Sequence, residues 1–223
     1  MPLLISIPKL YPITDARLSG LSHAEQVARL IEGGATLIQL REKHISPREF
    51  YREAEAALRV ARAAGVRVLV NDRADIALAV VADGVHLGQD DMPPAAARSL
   101  LGPEAVIGFS THNLEQAREA ALRGAADYIA IGPVFKTSTK ANPDPVVGLD
   151  GVRRVRELVG DFPLVAIGGI SLETARAVLE AGADSVAVIG ALVSGAGGDP
   201  SALARRTREF ISALDAAPPT SKR

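Results

Sequence analysis

The segment EAGADSVAVIG, residues 180–190, shows the unit on which the fold prediction rests: a helix that ends near a glycine and a short apolar strand directly after it. A glycine just past a helix takes the left-handed conformation that ends it, and runs rich in valine and isoleucine are typical of strands buried on both faces. Such a unit predicts a helix-to-strand connection in a parallel sheet. It recurs as EGGATLIQL (32–40), AAGVRVLVND (63–72), VADGVHLG (81–88) and RGAADYIAIG (123–132).

Together with the segments between these units, the sequence predicts eight strands, each followed by a helix, at a spacing of about 25 residues. The predicted strands are 10–15, 36–43, 66–72, 84–88, 106–111, 127–134, 163–168 and 185–190. The predicted helices are 22–33, 46–64, 73–81, 93–101, 113–124, 149–159, 171–181 and 200–214. This order is typical of the α/β class and of a (β/α)8 TIM barrel. An open doubly wound sheet is the alternative, but YPITDARLSG after the first strand lacks the G-x-G-x-x-G turn of that fold.

The composition narrows the class of protein. The 223 residues are 48% apolar and 23% charged, which suits a single compact domain, predicted over 1–214, with a polar tail at 215–223 that is predicted to be disordered. The net charge of -1 makes nucleic acid and anionic membranes unexpected partners. The absence of cysteine excludes disulfides, thiolate metal sites and a cysteine nucleophile. With no secretory signal or membrane span evident, a cytoplasmic protein is expected, and a homo-oligomer is compatible with the sequence.

Polar side chains collect at the carboxyl ends of the predicted strands, where TIM barrels build their active sites. Arg41, Lys43 and Lys140 supply positive charge from different strands, a set that suits a phosphate or a diphosphate. Asp72 and Asp91 supply hard oxygen ligands of the kind that hold Mg2+ together with substrate phosphates. Each segment alone is more typical of a solvated turn or a surface ion pair, but their shared position on one rim of the barrel favours a site for a metal diphosphate.

The segment TLIQLREK, residues 36–43, ends a predicted strand in a cluster of charge. If the strand continues through Lys43, then Gln39, Arg41 and Lys43 lie two residues apart and point to the same side, into the mouth of the barrel. Glu42 would then point the other way, toward the surrounding helices, and it has no predicted role.

A second anion site is predicted at AIGGIS, residues 166–171, where Gly169 permits close approach of a backbone, and at Gly190 after the last strand.

The four histidines say less about the function than these segments do. His23 and His44 are expected at the surface or at a helix start, His86 inside the barrel, and His112 either in the pocket or simply ahead of a helix.

Beyond these patterns, the chain resembles the thiamine-phosphate synthase family over nearly its whole length. The matching motifs are LYPITD, GGATLIQLREK, VLVNDRADIALAVVADGVHLGQDDMP, VIGFSTHNLEQA, ADYIAIGPVFKTSTK, VAIGGI and GADSVAVIGAL. The resemblance implies a (β/α)8 barrel that joins a hydroxymethylpyrimidine diphosphate to a hydroxyethylthiazole phosphate. It further implies that pyrophosphate is released and that each active site uses a Mg2+ ion.

The same resemblance assigns residues to the metal and to the two substrates. It implies that Asp72 and Asp91 bind Mg2+. It implies that the pyrimidine diphosphate is bound by Gln39, Arg41, Lys43, Asn71, Ser110 and Lys140. Of these, Arg41, Lys43, Ser110 and Lys140 are the predicted catalytic residues. It implies that the thiazole phosphate is bound by Thr137, Ser138, Thr139, Gly169, Ile189 and Gly190. Lys136 and Gly190 depart from the family pattern, since many relatives carry proline and serine there.

Chemistry of this kind needs little acid-base catalysis. An aminopyrimidine delocalises positive charge, so carbon–oxygen cleavage can run ahead of attack by the thiazole nitrogen, and the site has mainly to stabilise the leaving diphosphate. Two alternatives share the fold: a thiazole phosphate tautomerase that would use His112 as acid and base, and a non-catalytic sensor of phosphate ligands. The carboxylates of Asp72 and Asp91 favour the synthase, because a tautomerase has no use for a metal diphosphate.

Overall fold

The computed structural model describes residues 7–137 and 144–216, which form a closed barrel of parallel strands. The strands are β1 (Leu10–Thr14), β2 (Leu37–Leu40), β3 (Arg67–Asn71), β4 (Gly84–Leu87), β5 (Val106–Thr111), β6 (Tyr128–Ile131), β7 (Leu164–Ile167) and β8 (Ser185–Val188). Each strand pairs with the next along the chain, and β8 closes on β1 with Tyr11 opposite Ala187. The predicted (β/α)8 TIM barrel is confirmed.

Helices surround the barrel in the predicted order. They are α1 (Ala16–Ser19), α2 (His23–Glu32), α3 (Pro47–Ala63), α4 (Ala74–Ala79), α5 (Pro94–Leu101), α6 (Leu114–Arg123), α7 (Gly148–Val159), α8 (Leu172–Glu180), α9 (Gly190–Val193) and α10 (Pro200–Asp215), with a 3-10 turn at Ala196–Gly198. The sequence did not predict α1 and α9, because a single helical turn is too short to show a periodicity. Residues 217–223 of the predicted disordered tail lie outside the described residues.

The strand β2 is shorter than predicted. It ends at Leu40, and side chains capture the next backbone groups in place of the sheet: the N–H of Arg41 donates to Thr14 Oγ1, and those of Lys43 and His44 donate to Glu42 Oε1. The prediction that Gln39, Arg41 and Lys43 share one face of a strand is therefore wrong. Gln39 belongs to the barrel interior, while the two cations belong to a loop.

The helix-ending glycines behave as predicted in most of the recurring units but not in all. Gly182, for example, is left-handed with φ 110° after α8. In VADGVHLG the left-handed residue is Val81 instead, with φ 54°, and Gly84 serves a different purpose. A Cβ on Gly84 would lie 1.9 Å from the carbonyl oxygen of Val106, so the close approach of β4 and β5 requires glycine there.

An aspartate just before each of β4, β6 and β8 ties the amino end of that strand to the preceding one. Its carboxylate accepts a hydrogen bond from a backbone N–H of the neighbouring strand. The bonded pairs are Asp83 with Val68, Asp127 with Ile107 and Asp184 with Leu164, at 2.7 to 2.8 Å. These bonds explain why three of the recurring units carry aspartate at this position, opposite the mouth that holds the polar loops.

Replacing Asp127 with alanine is expected to lower the free energy of unfolding by about 3 kcal/mol, measured by urea denaturation. Asp127 is buried and also accepts from Arg98 Nη2 at 2.6 Å, so its loss leaves a buried N–H without its acceptor and a half-buried guanidinium without its counter-charge. Asp150→Ala is the control, because Asp150 is exposed and pairs with Arg153 at the surface. Equal losses for both variants would contradict a structural role for the buried carboxylate.

Candidate active site

The polar loops that the sequence predicts do lie together at the carboxyl mouth of the barrel. Asn71 is the last residue of β3, and Ser110 is the last but one of β5. Arg41, Lys43, Asp72 and Asp91 lie in the loops that follow β2, β3 and β4. Thr137, Gly169, Ile189 and Gly190 lie beyond β6, β7 and β8, with Gly190 opening α9. Ser138, Thr139 and Lys140 lie outside the described residues.

Arg41 is held in place by a carboxylate that received no predicted role. Its Nη1 donates to Asp15 Oδ2 at 2.7 Å, and only 16% and 8% of the two side chains are exposed. The other oxygen of Asp15 accepts from the N–H of Leu18 and so begins α1. A guanidinium has five N–H donors, so this pairing orients Arg41 and leaves most of its donors for an anion.

Asp72, Asp91 and Lys43 form one cluster. The Lys43 ammonium makes an ion pair with Asp72 Oδ2, and Asp91 Oδ2 accepts from the N–H of Gly88 at 2.7 Å. Burial raises the pKa of Asp91 above its usual value, and contact with the Asp72 carboxylate raises it further, against the opposing effect of Gly88 and Lys43. Two adjacent carboxylates repel each other, and a cation shared between them relieves that repulsion.

This cluster fits a Mg2+ ion that is completed by its substrate. Across residues 7–137 and 144–216 there is no group of three or more His, Asp or Glu side chains that could enclose a metal. Mg2+ in proteins is commonly held by one or two carboxylates, with water and substrate phosphates as the remaining ligands. Asp72 itself is left-handed at φ 64°, a conformation that aspartate tolerates better than most residues and that recurs at functional sites.

The remaining residues predicted for the diphosphate line the floor of the mouth. Gln39 is buried and its Nε2 donates to the hydroxyl of Tyr11 at 3.0 Å, so it lies deeper than a rim residue. Ser110 Oγ lies 2.9 Å from His86 Nε2. Asn71 is buried, and no other side chain of the described part of the chain bonds its amide. Its donor and acceptor therefore remain for a ligand or water.

Glycines shape the opposite side of the mouth. Gly169 is left-handed at φ 66°, and a Cβ there would lie 2.4 Å from the carbonyl oxygen of Lys136. The loops after β6 and β7 are thus pressed together, as the bond from the Phe135 N–H to the Gly168 oxygen at 2.9 Å also shows. Lys136 contributes its backbone to this contact while its side chain is exposed. The mouth therefore has a charged half over β2 to β4 and a glycine-rich half over β6 to β8.

The prediction that His23 lies at the surface or at a helix start is confirmed for the helix start. His23 begins α2, but it is fully buried rather than at the surface, with Nδ1 2.7 Å from Thr14 Oγ1 and Nε2 3.4 Å from Glu42 Oε2. Burial lowers the pKa of His23, although Glu42 acts in the opposite direction. A signal for burial was present in the sequence, because His23, Gln26, Val27 and Leu30 follow the spacing of one helical face.

Glu42 also has a role that the sequence did not reveal. Its Oε1 accepts from the N–H groups of Lys43 and His44 at 2.7 Å each, while its other oxygen contacts His23. Although burial opposes it, these donors lower the pKa of Glu42 below its usual value. Glu42 therefore fixes the turn from which Lys43 reaches Asp72.

We expect Glu42→Gln to weaken kcat/KM for a diphosphate substrate about tenfold, because the hydrogen bonds from the backbone N–H groups of Lys43 and His44 lose their charged acceptor. The measurement is steady-state kinetics with the diphosphate substrate as the varied reactant. Glu49→Gln is the matched control, since Glu49 accepts similar bonds from Ser46 at the exposed start of α3. An unchanged kcat/KM in Glu42→Gln would rule out its positioning role.

Of the other three histidines, one is exposed and two have side chains that contact neighbouring groups. His44 is the exposed one, as expected. His86 lies inside the barrel, as predicted, and burial lowers its pKa to about 4. His112 Nδ1 lies 2.9 Å from the carbonyl oxygen of Gly132 and 3.4 Å from Asp144 Oδ2, which fixes its imidazole between β5 and the segment after β6.

Within the described ranges, none of the helices has the length and apolarity needed to span a bilayer.

Comparison with known proteins identifies the family. Residues 10–192 match the family model described as thiamine monophosphate synthase. The chain is 49% identical to the thiamine-phosphate synthase of Chloroflexus aurantiacus, over 92% of this chain and 93% of that protein. It is 47% identical to the thiamine-phosphate synthase of Syntrophomonas wolfei, over 90% and 95%. The solved structure of thiamine phosphate pyrophosphorylase from Pyrococcus furiosus shares 41% identity and a TM-score of 0.80, over 92% and 95%. The chain belongs to the thiamine monophosphate synthase family.

Proposed function

We propose that this chain transfers the (4-amino-2-methylpyrimidin-5-yl)methyl group of 4-amino-2-methyl-5-(diphosphooxymethyl)pyrimidine to the nitrogen of hydroxyethylthiazole phosphate. Thiamine phosphate and pyrophosphate are the products. As a member of its family the chain is an enzyme, a transferase of thiamine biosynthesis. The observation that carries the specific chemistry is the contact between Asp72 and Asp91 beside Lys43, since it suits a diphosphate bound with a metal.

The reaction breaks the bond between the methylene carbon and the diphosphate oxygen, and the electron pair leaves with the diphosphate. The lone pair of the thiazole nitrogen forms the new carbon–nitrogen bond, so no proton has to be moved. Asp72 and Asp91 would hold Mg2+, which when bound would offset the negative charge that develops on the leaving group. Because no proton is transferred, a site with few free acid-base groups is sufficient for this reaction.

The residues of the charged half would bind the diphosphate. Arg41, oriented by Asp15, offers paired donors to phosphate oxygens, and Lys43 offers a mobile ammonium beside the metal ligands. Lys140 is a further proposed ligand, carried over from the sequence. Asn71 and Ser110 would donate from the floor, and Gln39 supports that floor from below through Tyr11.

The glycine-rich half would bind the thiazole phosphate. Gly169 brings exposed backbone to the mouth, and Ile189 and Gly190 lie at the turn from β8 into α9, the region where TIM barrels frequently bind phosphate. Thr137, Ser138 and Thr139, which follow β6 in the sequence, are proposed as hydroxyl donors. With the two halves on opposite sides of one mouth, the thiazole nitrogen could approach the carbon opposite its leaving group.

The direct test follows both products with the purified protein, each substrate alone and together, with and without Mg2+. Pyrophosphate release that requires both substrates and Mg2+, in step with thiamine phosphate, supports the proposal. Conversion of the thiazole phosphate alone would indicate a tautomerase, and tight binding of both ligands without turnover would indicate a sensor. Either result would replace the proposed reaction.

A further inference from the structure

A continuous chain of hydrogen bonds crosses the interior of the barrel below the mouth. Gln39 Nε2 lies 3.0 Å from the Tyr11 hydroxyl, which lies 3.1 Å from the Tyr128 hydroxyl. The Tyr128 hydroxyl lies 2.9 Å from His86 Nδ1, and His86 Nε2 lies 2.9 Å from Ser110 Oγ. The chain thus joins residues of β2, β1, β6, β4 and β5, and it ends at Ser110, a residue of the candidate diphosphate site near the carboxyl end of β5.

The packing of the barrel holds this chain in one geometry. Tyr11, Tyr128 and His86 are buried, with the ring of His86 stacked on that of Tyr128 at 5.5 Å. Gly108 of β5 makes room for them, because a Cβ there would lie 2.1 Å from Tyr128 Cζ and 2.5 Å from His86 Nδ1. A larger residue would displace the rings that carry the hydrogen bonds, so this chain of hydrogen bonds requires glycine at position 108.

The direction of the hydrogen bonds follows from the orientation of the Gln39 amide, which presents its Nε2 to the Tyr11 hydroxyl. The amide of Gln39 donates to Tyr11, so Tyr11 uses its own proton on Tyr128, which among residues 7–137 and 144–216 is its other polar side-chain partner. Tyr128 then donates to His86 Nδ1, which makes Nδ1 the acceptor of a neutral imidazole. The proton of His86 therefore sits on Nε2 and is donated to Ser110 Oγ, which leaves the hydroxyl proton of Ser110 for another acceptor.

We propose that Tyr11 and Tyr128 are positioning residues that fix His86 as its Nε2–H tautomer and so keep the Ser110 hydroxyl as a donor toward the bound substrate. In the reverse order, Ser110 would donate to His86 and turn a lone pair toward the ligand, which an anion would repel. The part of this inference that concerns the substrate rests on the proposed function, because it takes a diphosphate as the acceptor. The tautomer of His86 does not depend on any ligand.

The first test measures the tautomer directly in the substrate-free protein. Nitrogen-15 NMR of histidine-labelled protein, with His86 assigned by comparison with His86→Gln, is expected to show a protonated Nε2 and an unprotonated Nδ1. Tyr128→Phe is expected to shift the His86 signals, whereas Tyr51→Phe, which alters an exposed hydroxyl bonded to Glu55, is expected to leave them unchanged. A protonated Nδ1 in the unaltered protein would overturn the inference.

The second test asks whether Tyr128 acts through Ser110. We expect Tyr128→Phe to lower kcat/KM for the pyrimidine diphosphate about tenfold, while the KM for the thiazole phosphate stays constant. In a Ser110→Ala background the same change is expected to have no further effect, since the donor it positions is gone. Equal losses in both backgrounds would show that Tyr128 acts only on the fold and would contradict the proposal.

The two proposals can fail separately. If the unaltered protein forms no thiamine phosphate, the proposed reaction is wrong, and calorimetry with Mg2+ and inorganic pyrophosphate then takes the place of kinetics. Weaker pyrophosphate binding in Tyr128→Phe but not in Tyr51→Phe would still support the positioning role. If the protein is active and His86 carries its proton on Nδ1, the proposed reaction is supported and the positioning role of Tyr11 and Tyr128 is contradicted.

Discussion

Replacing Asp72 with asparagine is expected to lower kcat about a thousandfold at saturating substrates and Mg2+. The change keeps the size of the side chain but removes one of the two carboxylates that would hold the metal, and it breaks the ion pair with Lys43. In the proposed reaction both losses would act on the leaving diphosphate, where charge develops in the transition state. Pyrophosphate release, measured across a range of Mg2+ concentrations, gives the rate and the metal dependence together.

A neighbouring aspartate provides the matched control. Asp90 is exposed and lies next to Asp91 in the same loop, so Asp90→Asn should keep the rate and the Mg2+ dependence of the unaltered protein. Asp91→Asn should lose activity as Asp72→Asn does, yet its melting temperature without ligand should not fall, because the change removes one of two repelling carboxylates. If Asp72→Asn retained both its rate and its Mg2+ dependence, the metal assignment would be wrong.

Most of the fold could be read from the sequence because the deciding signals are local. The left-handed glycine and the apolar strand lie within ten residues of each other in EAGADSVAVIG, and the spacing of such units fixes a TIM barrel. The errors arose where a side chain competes with the backbone. Glu42 captures the N–H groups that would have continued β2, and a strand pattern contains no information about that competition.

The candidate site was predictable in its charges but not in its pairings. Arg41, Lys43, Asp72 and Asp91 follow strands that the sequence reveals, so their convergence at one mouth follows from the fold. The partners that orient them come from distant positions: Asp15 lies 26 residues before Arg41 in the chain, and no local spacing indicates their contact. The cross-barrel hydrogen bonds are likewise a product of tertiary packing, in which Gly108 leaves the space that two rings occupy.

Replacing Gly169 with alanine is expected to raise the KM for the thiazole phosphate about a hundredfold, with little change in the KM for the pyrimidine diphosphate. Alanine at φ 66° is strained, and its Cβ would lie 2.4 Å from the carbonyl oxygen of Lys136 and 2.8 Å from Phe135 Cβ. The loop after β6 must therefore move away from the loop after β7. Both loops belong to the glycine-rich half of the mouth, so the effect should stay with one substrate.

Gly124→Ala separates the strain of the backbone from the contact between the loops. Gly124 is also left-handed, at φ 60°, but a Cβ there would have no neighbour within 4 Å. The control should therefore lower stability by about 1 kcal/mol through strain alone and leave both KM values unchanged. If Gly169→Ala raised both KM values equally, its effect would be a general loss of structure. A selective rise for the thiazole phosphate would instead show that the approach of the two loops, which only glycine permits, forms the second half of the site.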